Sequence, residues 1–296
     1  MSEKIPVAET PPPIAVPAGS PFAYPRDFLG NRFVYLVISP RVHGLAVGVN
    51  MNPDKSCNFD CVYCEVNREE AANELEFDVT VMAAELEKTL SLVGSGAIHQ
   101  LPRYARLNNE LLRFQHVALS GDGEPTLSPA FANAVQEIVR LRALGTRPYF
   151  DLVLLTNGTG LDLPAVQEGL QYFTREDEIW IKLDAGTQEY MDKINRPKIP
   201  LAKVLQNALV LGQRRPIIIQ SMFALINGLE PPPDEIQQYV LRLNELKNGG
   251  ASISLVQIYS AIRPGPNPGF THLPLKSLSK ICRQIRAETG LKAEVF

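Results

Sequence analysis

This sequence has little sulfur, no surplus of positive charge and no long apolar run. Only 4 of its 296 residues are cysteine and 4 are histidine. So few cysteines exclude a disulfide-stapled scaffold. Lys and Arg number 29 against 32 Asp and Glu, a net charge of −3, which gives no electrostatic footprint of a nucleic-acid binder. No apolar stretch approaches the ~20 residues of a membrane span, and no internal repeat is present. The opening "MSEKIPVAETPPPIAVPAGSPFAYP" lacks the apolar segment of an export signal, and its prolines predict a flexible arm over residues 1–30. These absences lead to an expected cytoplasmic chain with no membrane partner. It is expected to be a monomer, with one core domain over residues 31–296.

What is present is an alternation of strand-like and helix-like segments. "LAVGVNM" (45–51), "QHVALS" (115–120), "FDLVLLT" (150–156), "EIWIKLDA" (178–185), "PIIIQSMFALI" (216–226) and "SISLVQIYS" (252–260) read as strands. Residues 79–93, the segment carrying Phe131, Ala134, Val135, Ile138 and Val139, the segment carrying Ile236, Tyr239, Val240, Leu243 and Leu246, and residues 275–290 read as helices. Apolar strands alternating with helices predict an α/β fold with a parallel sheet, short of a full eight-unit barrel. The polar motifs follow or end strands, so motifs remote in sequence are expected to meet on one rim.

Three of the four cysteines fall in "KSCNFDCVYCEV" (55–66), with the spacing C-x3-C-x2-C at Cys57, Cys61 and Cys64. Zinc asks for four ligands, commonly in two pairs. Here His43, His99, His116 and His272 stand singly, and Cys282 reads as a buried thiol on the last helix. Three thiolates without a fourth suit a [4Fe–4S] cluster with one iron left open.

Two turns and two strands add to this. In "GDGEP" (121–125), Gly121 and Gly123 allow close backbone approach to a ligand. An ordinary strand-to-helix turn would use the same residues. "TNG" (156–158) is turn chemistry that puts Asn157 on the rim. Lys182 and Asp184 alternate onto one face of their strand, where they could pair with each other or meet a ligand. Gln220, Met222, Gln257 and Tyr259 are placed to line the interior. Arg196 and Arg263, each in an Arg-Pro loop, are candidates for substrate contact.

"CNFDCVYC" resembles the signature of the radical SAM superfamily, and "SGDGEPTL" (120–127) is similar to that superfamily's GGEP motif. The resemblance covers nearly all of the chain beyond the arm. Within the superfamily, "SPRVHGLAVGVNMNPDKSCNFDCVYCEV" and "KLDA" with "INRP" most resemble a branch related to wyosine-base synthases, which modify a tRNA purine. The resemblance implies a partial (β/α)6-type barrel, a radical SAM core. It implies a [4Fe–4S] cluster on Cys57, Cys61 and Cys64. It implies S-adenosylmethionine (SAM) held near Tyr63, Gly121, Asp122, Gly123, Glu124, Pro125, Asn157 and Asp184. Lys182, Gln220 and Arg263 are the candidate catalytic or substrate residues. An external electron donor of flavodoxin or ferredoxin type would reduce the cluster, and SAM cleavage would yield a 5′-deoxyadenosyl radical.

The substrate stays open between a small molecule, a peptide and an RNA. Wyosine-type tRNA modification and a non-catalytic iron–sulfur or zinc module are the alternatives. Wyosine-base synthases of this type carry a second cluster on additional cysteines, whereas here only Cys282 remains beyond the triplet. One cluster per chain and no imidazoline-forming activity on tRNA are therefore expected.

Overall fold

The computed structural model describes residues 27–72, 74–145, 148–261 and 267–296. Residues 1–26 of the expected arm and the candidate Arg263 lie outside them. Strands β1 (Val34–Ser39) and β2 (Gly44–Asn50) form an antiparallel hairpin. From β2 onward the chain winds in strand-helix units. These are α1 (Val79–Gly94), β3 (Phe114–Ser120), α2 (Phe131–Ala143), β4 (Asp151–Thr156), α3 (Pro164–Leu170), β5 (Glu178–Lys182), α4 (Gln188–Ile194), α5 (Leu201–Gly212) and β6 (Ile217–Met222). The rest comprises β7 (Ala224–Ile226), α6 (Pro233–Asn248), β8 (Ile253–Tyr259), β9 (Phe270–His272), α7 (Leu275–Thr289) and β10 (Ala293–Val295).

The main sheet has the order β1-β2-β3-β4-β5-β6-β8-β10, and every neighbouring pair beyond β1-β2 is parallel. This is the α/β architecture expected from the strand-helix alternation, and the six expected strands correspond to β2, β3, β4, β5, β6 and β8. The sheet's ends, β1 and β10, are not paired to each other, so the barrel is partial.

Three features differ from the sequence reading. The hairpin strand β1 precedes the first expected strand. The edge strand β10 is added by three residues. The single expected strand over 216–226 is divided, because Met222 N donates to Asp184 Oδ1 at 2.8 Å and β7 leaves to pair with β9. Packing also begins earlier than residue 31: Phe28 is buried against Tyr104, with ring centroids 6.4 Å apart.

Two apolar layers hold the sheet. The larger lies between strands and helices, where Val47, Val117, Leu152, Leu154, Ile179, Ile181, Ile217 and Ile219 meet helix residues such as Leu86, Ile138 and Leu243. The smaller lies on the concave face, where Ala118, Val153, Trp180 and Ile218 pack with Val42 from the β1-β2 turn. His116 also faces this side, edge-on to Trp180. Burial lowers its pKa to about 4, so it is a neutral core ring.

At the N-terminal ends of the strands, Asp177 is buried and accepts five hydrogen bonds. Arg142 Nη1 and Nη2 donate at 2.6 and 3.1 Å, Leu152 N and Thr174 N at 2.7 Å each, and Thr174 Oγ1 at 3.1 Å. Burial pulls the Asp177 carboxyl upward, but Arg142 and the backbone N–H groups outweigh it and hold the pKa below the ordinary aspartate value. Asp177→Asn would leave the buried Arg142 unpaired and is expected to cost about 3–5 kcal/mol in denaturant unfolding. A depressed folded pKa gives stability that is present above the unfolded pKa and lost as pH falls through the folded one. The difference between wild type and variant should therefore shrink in acid; an equal difference at all pH values would contradict this placement.

Candidate active site

Residues 51–64 connect the end of β2 to a segment with no regular structure, and they carry Cys57, Cys61 and Cys64, all half-buried. A loop of this kind needs partners for its backbone from elsewhere. Met51 N donates to Ser120 O at 3.0 Å, Asp60 N to Asn195 O at 2.9 Å and Val62 N to Ile194 O at 2.9 Å. Lys198 N donates to Asn58 O at 3.0 Å, and Ser56 O accepts from Glu124 N at 3.0 Å. Lys55, in the left-handed region at φ 62°, aims its ammonium at Asn67 O and Glu70 O, 2.7 and 2.9 Å away, and ties down the returning chain. The loop is thus fixed by the C-terminal ends of β2, β3 and β5 and by the segment after α4.

Each of the three sulfurs accepts one N–H. Phe59 N lies 3.4 Å from Cys57 Sγ, Asn195 Nδ2 3.3 Å from Cys61 Sγ, and Arg68 Nη1 3.3 Å from Cys64 Sγ. Such donors stabilise anionic sulfur, as in ligands of an iron–sulfur cluster. Burial pushes the Cys61 thiol up to about 12, so its proton leaves only when something replaces it. Among the described residues, no group of three His, Cys, Asp or Glu side chains is arranged to hold a single metal ion. What suits these residues to a cluster is the donor set: three thiols in one short loop, each with an N–H directed at its sulfur. Cys282 is buried on α7, its Sγ directed at Ala293 O at 3.4 Å, and stands apart from this loop.

The GDGEP turn lies directly against the cysteine loop. A Cβ on Gly121, at φ 130°, would come within 2.1 Å of Asn50 Oδ1, and one on Gly123 within 2.0 Å of Ser56 O. Both glycines therefore serve close approach, but to the protein's own backbone and side chains. Asn50 holds the turn through Asp122, accepting from its N at 2.9 Å and donating to its Oδ2 at 2.7 Å. Glu124 points inward. Its carboxylate takes Thr126 Oγ1 at 2.6 Å, Thr156 Oγ1 at 2.5 Å and Asn157 N at 2.7 Å, and burial raises its pKa against these bonds. Pro125 is buried just beyond it. Asn157 is buried as well; its amide donates to Asn58 Oδ1 at 2.8 Å and accepts from Thr159 N at 3.0 Å.

Asp184 is 3% exposed and accepts from Asn195 Nδ2 at 2.9 Å, Met222 N at 2.8 Å and the Tyr63 hydroxyl. Lys182 Nζ lies 3.6 Å from it and 4.9 Å from the Tyr63 ring centroid, and donates to Tyr259 Oη at 2.8 Å. Burial disfavours the ammonium, but Asp184 and Tyr259 outweigh it and raise the Lys182 pKa, so the lysine is charged at neutral pH. Gln220 donates to Gln257 Oε1 at 3.1 Å on the same concave face.

The rim thus gathers Tyr63, Asp122, Glu124, Asn157 and Asp184 around the cysteines, with Lys182 and Gln220 deeper in. Arg196 turns outward to Asp60 at 3.3 Å, while its neighbour Asn195 is 2% exposed and reaches Cys61, Tyr63 and Asp184. Asn195, Arg68, Asn50 and Asn58 were not among the sequence candidates. Only Asn195 had a signal, as the residue before the "RP" pair.

The UPF0026 protein of Helicobacter pylori strain J99 is 23% identical over 235 residues, 78% of this chain and 68% of the relative. A UPF0026 protein of Methanocaldococcus jannaschii is 27% identical over 168 residues, 56% of this chain and 45% of the relative. Streptococcus suis SuiB bound to S-adenosylmethionine superposes with a TM-score of 0.56 at 14% identity, and this chain spans about half of it, 83% of this chain and 49% of that one. TYW1 with a lysine-pyruvate adduct bound gives 0.56 at 14% identity, over 90% of this chain and 87% of that one. At such identities the structures share the fold. A family model described as "Radical SAM superfamily" matches residues 51–238, from the start of the cysteine loop into α6. That match covers more than half of the chain and contains the three clustered cysteines, the glycine turn and Asp184: the protein belongs to the radical SAM superfamily.

Proposed function

We propose that the protein is a radical SAM enzyme whose core domain runs from about residue 31 to 296. In this reading Cys57, Cys61 and Cys64 hold one [4Fe–4S] cluster. The observation that carries the proposal is the single N–H donor at each of the three sulfurs, beside a glycine turn at the C-terminal rim of a parallel sheet. When bound, the cluster and SAM would supply one-electron cleavage of the sulfonium to methionine and a 5′-deoxyadenosyl radical, with the electron coming from an external donor.

The chain's own residues do the rest. The backbone of Gly121, Asp122 and Gly123 borders the cluster loop and offers polar groups to the charged end of SAM. Glu124 and Pro125 keep that turn in place, and Asn157 braces it through Asn58. Asp184, Asn195 and Tyr63 fix the third side of the loop. Lys182 and Gln220 face the interior, where a substrate would be held and water excluded. The chain spans only part of several relatives, and its substrate is taken to be a small molecule that would meet Lys182 and Gln220 on the concave face. The lack of further clustered cysteines supports chemistry other than imidazoline formation on tRNA.

Anaerobic reconstitution should give about four irons per chain. Changing Cys57, Cys61 or Cys64 to Ala should abolish the visible charge-transfer absorption, while Cys282→Ser should leave it. The reduced wild type should convert SAM to 5′-deoxyadenosine, read by liquid chromatography. Stoichiometric zinc without a cluster, or a cluster that survives loss of one of the three, would sink the proposal.

Gly123→Val should lose iron as well as SAM affinity. Its side chain would collide with Ser56 O, next to Cys57, and dislodge the loop. A Gly123→Val protein with full iron content and weakened SAM binding would instead mean that the glycine serves the ligand alone.

A further inference from the structure

The concave face is floored by the β1-β2 turn. Val42 fills the apolar layer around Trp180, and its neighbour Arg41 reaches past that layer to lay its guanidinium 4.6 Å from the Tyr259 ring centroid. Nε of Arg41 is buried with no hydrogen-bond partner. No ion pair among the described residues includes Arg41.

Lys182 meets the same ring from its own strand, with Nζ 5.4 Å from the centroid and bonded to the hydroxyl. An ammonium has three N–H donors. One goes to Tyr259, and the nearest carboxylate, Asp184, stands at 3.6 Å with its oxygens already taken by Tyr63, Asn195 and Met222. The other groups at this level, Gln220 and Gln257, are neutral and bonded to each other. Glu178 shares the face, but it lies below Trp180 and binds that indole at 2.7 Å. Glu294 is paired with Lys292 at 3.0 Å. Among the described residues around Tyr259, two cations therefore face one carboxylate, with N–H donors to spare on both.

We propose that Arg41 and Lys182 together bind an anionic group of the substrate, a carboxylate or phosphate, inside the concave face. This rests on the reading of the protein as an enzyme that works on a substrate held there. Tyr259 is the spacer that sets the two cations apart, and the apolar layer with Val42 and Trp180 closes the pocket beneath. Arg41 is a substrate-anchoring residue delivered by the hairpin turn, and a planar guanidinium suits two-point contact with either anion. The consequence is selectivity: amines and neutral analogues are excluded from a site that carries surplus positive charge.

The test uses the full chain, reconstituted without oxygen and supplied with SAM, at constant ionic strength. Its thermal midpoint is followed during titration with succinate, with inorganic phosphate and, as the cationic control, with methylammonium. One or both anions should raise the midpoint saturably, and methylammonium should not. The two anion arms decide between carboxylate and phosphate. Arg41→Gln should weaken the anion's apparent affinity about tenfold, the scale of one charge-assisted contact. Arg41→Lys should recover part of it, which a merely structural stacking role would not give. Equal affinity in wild type and Arg41→Gln, or no saturable response to either anion, overturns the proposal. Formation of 5′-deoxyadenosine by the same wild-type preparation is scored separately. Its absence would remove the enzymatic reading while leaving the anion titration interpretable.

Discussion

A loop without a ladder of its own has to borrow the hydrogen bonds that keep it in place, and this protein's three clustered cysteines sit on such a loop. The cysteine segment is held from three sides: by Ser120 and Glu124 at the end of β3, by Ile194 and Asn195 after α4, and by Thr159 and Asn157 beyond β4. The points after β3 and β4 lie at the C-terminal ends of parallel strands, which the sheet brings to one rim, and the end of α4 closes the remaining side. The three sulfurs inherit their spacing from that scaffold. Asn195 both holds the loop and donates to a sulfur, while Phe59 within the loop and Arg68 just after it supply the other two N–H groups.

Glu124 and Asp184 are the two buried acids on which this arrangement turns. Both carboxylates are bonded within the protein. Glu124 locks the glycine turn to the TNG turn through Thr156 and Asn157. Asp184 locks Tyr63 and Asn195 over the interior and ends β6 by capturing Met222 N. Burying a carboxylate is tolerated only when it is hydrogen-bonded, and both oxygens of each are. Those bonds tie the rim's segments together. Beneath the rim, the positive charge of Lys182 persists because Asp184 stands close without consuming its donors. The site thus divides into a rigid polar collar and a cationic interior.

Much of this was legible in the sequence, for physical reasons. The six main strands are continuous apolar runs ended by turn residues, the pattern of a sheet covered on its faces. The cysteines fall within eight positions, so their shared purpose needs no tertiary information. The parts that were not legible depend on proximity. Asn195 lies 134 residues from Cys61 and Asn58 lies 99 from Asn157, and a lone asparagine has no periodicity. The β1-β2 hairpin turns through Pro40, Arg41 and Val42 with His43 at φ 51°, without the Asn-Gly or Asp-Gly pair that marks such turns in sequence. Arg41 was missed with it. Three-residue strands such as β10 have no pattern to read at all. Glu124 was read as a ligand contact because its motif suggested one, and the partners that turn its side chain inward, Thr156 and Asn157, arrive from the next strand.

The central claim is that three thiolates here hold a cluster with one iron open to SAM. Mössbauer spectra of protein reconstituted with isotopically enriched iron, recorded with and without SAM, test it most directly. If the account is right, one iron of the cluster changes its isomer shift when SAM is added and the others keep theirs. Spectra that are unchanged by SAM, or irons that all respond alike, would contradict it.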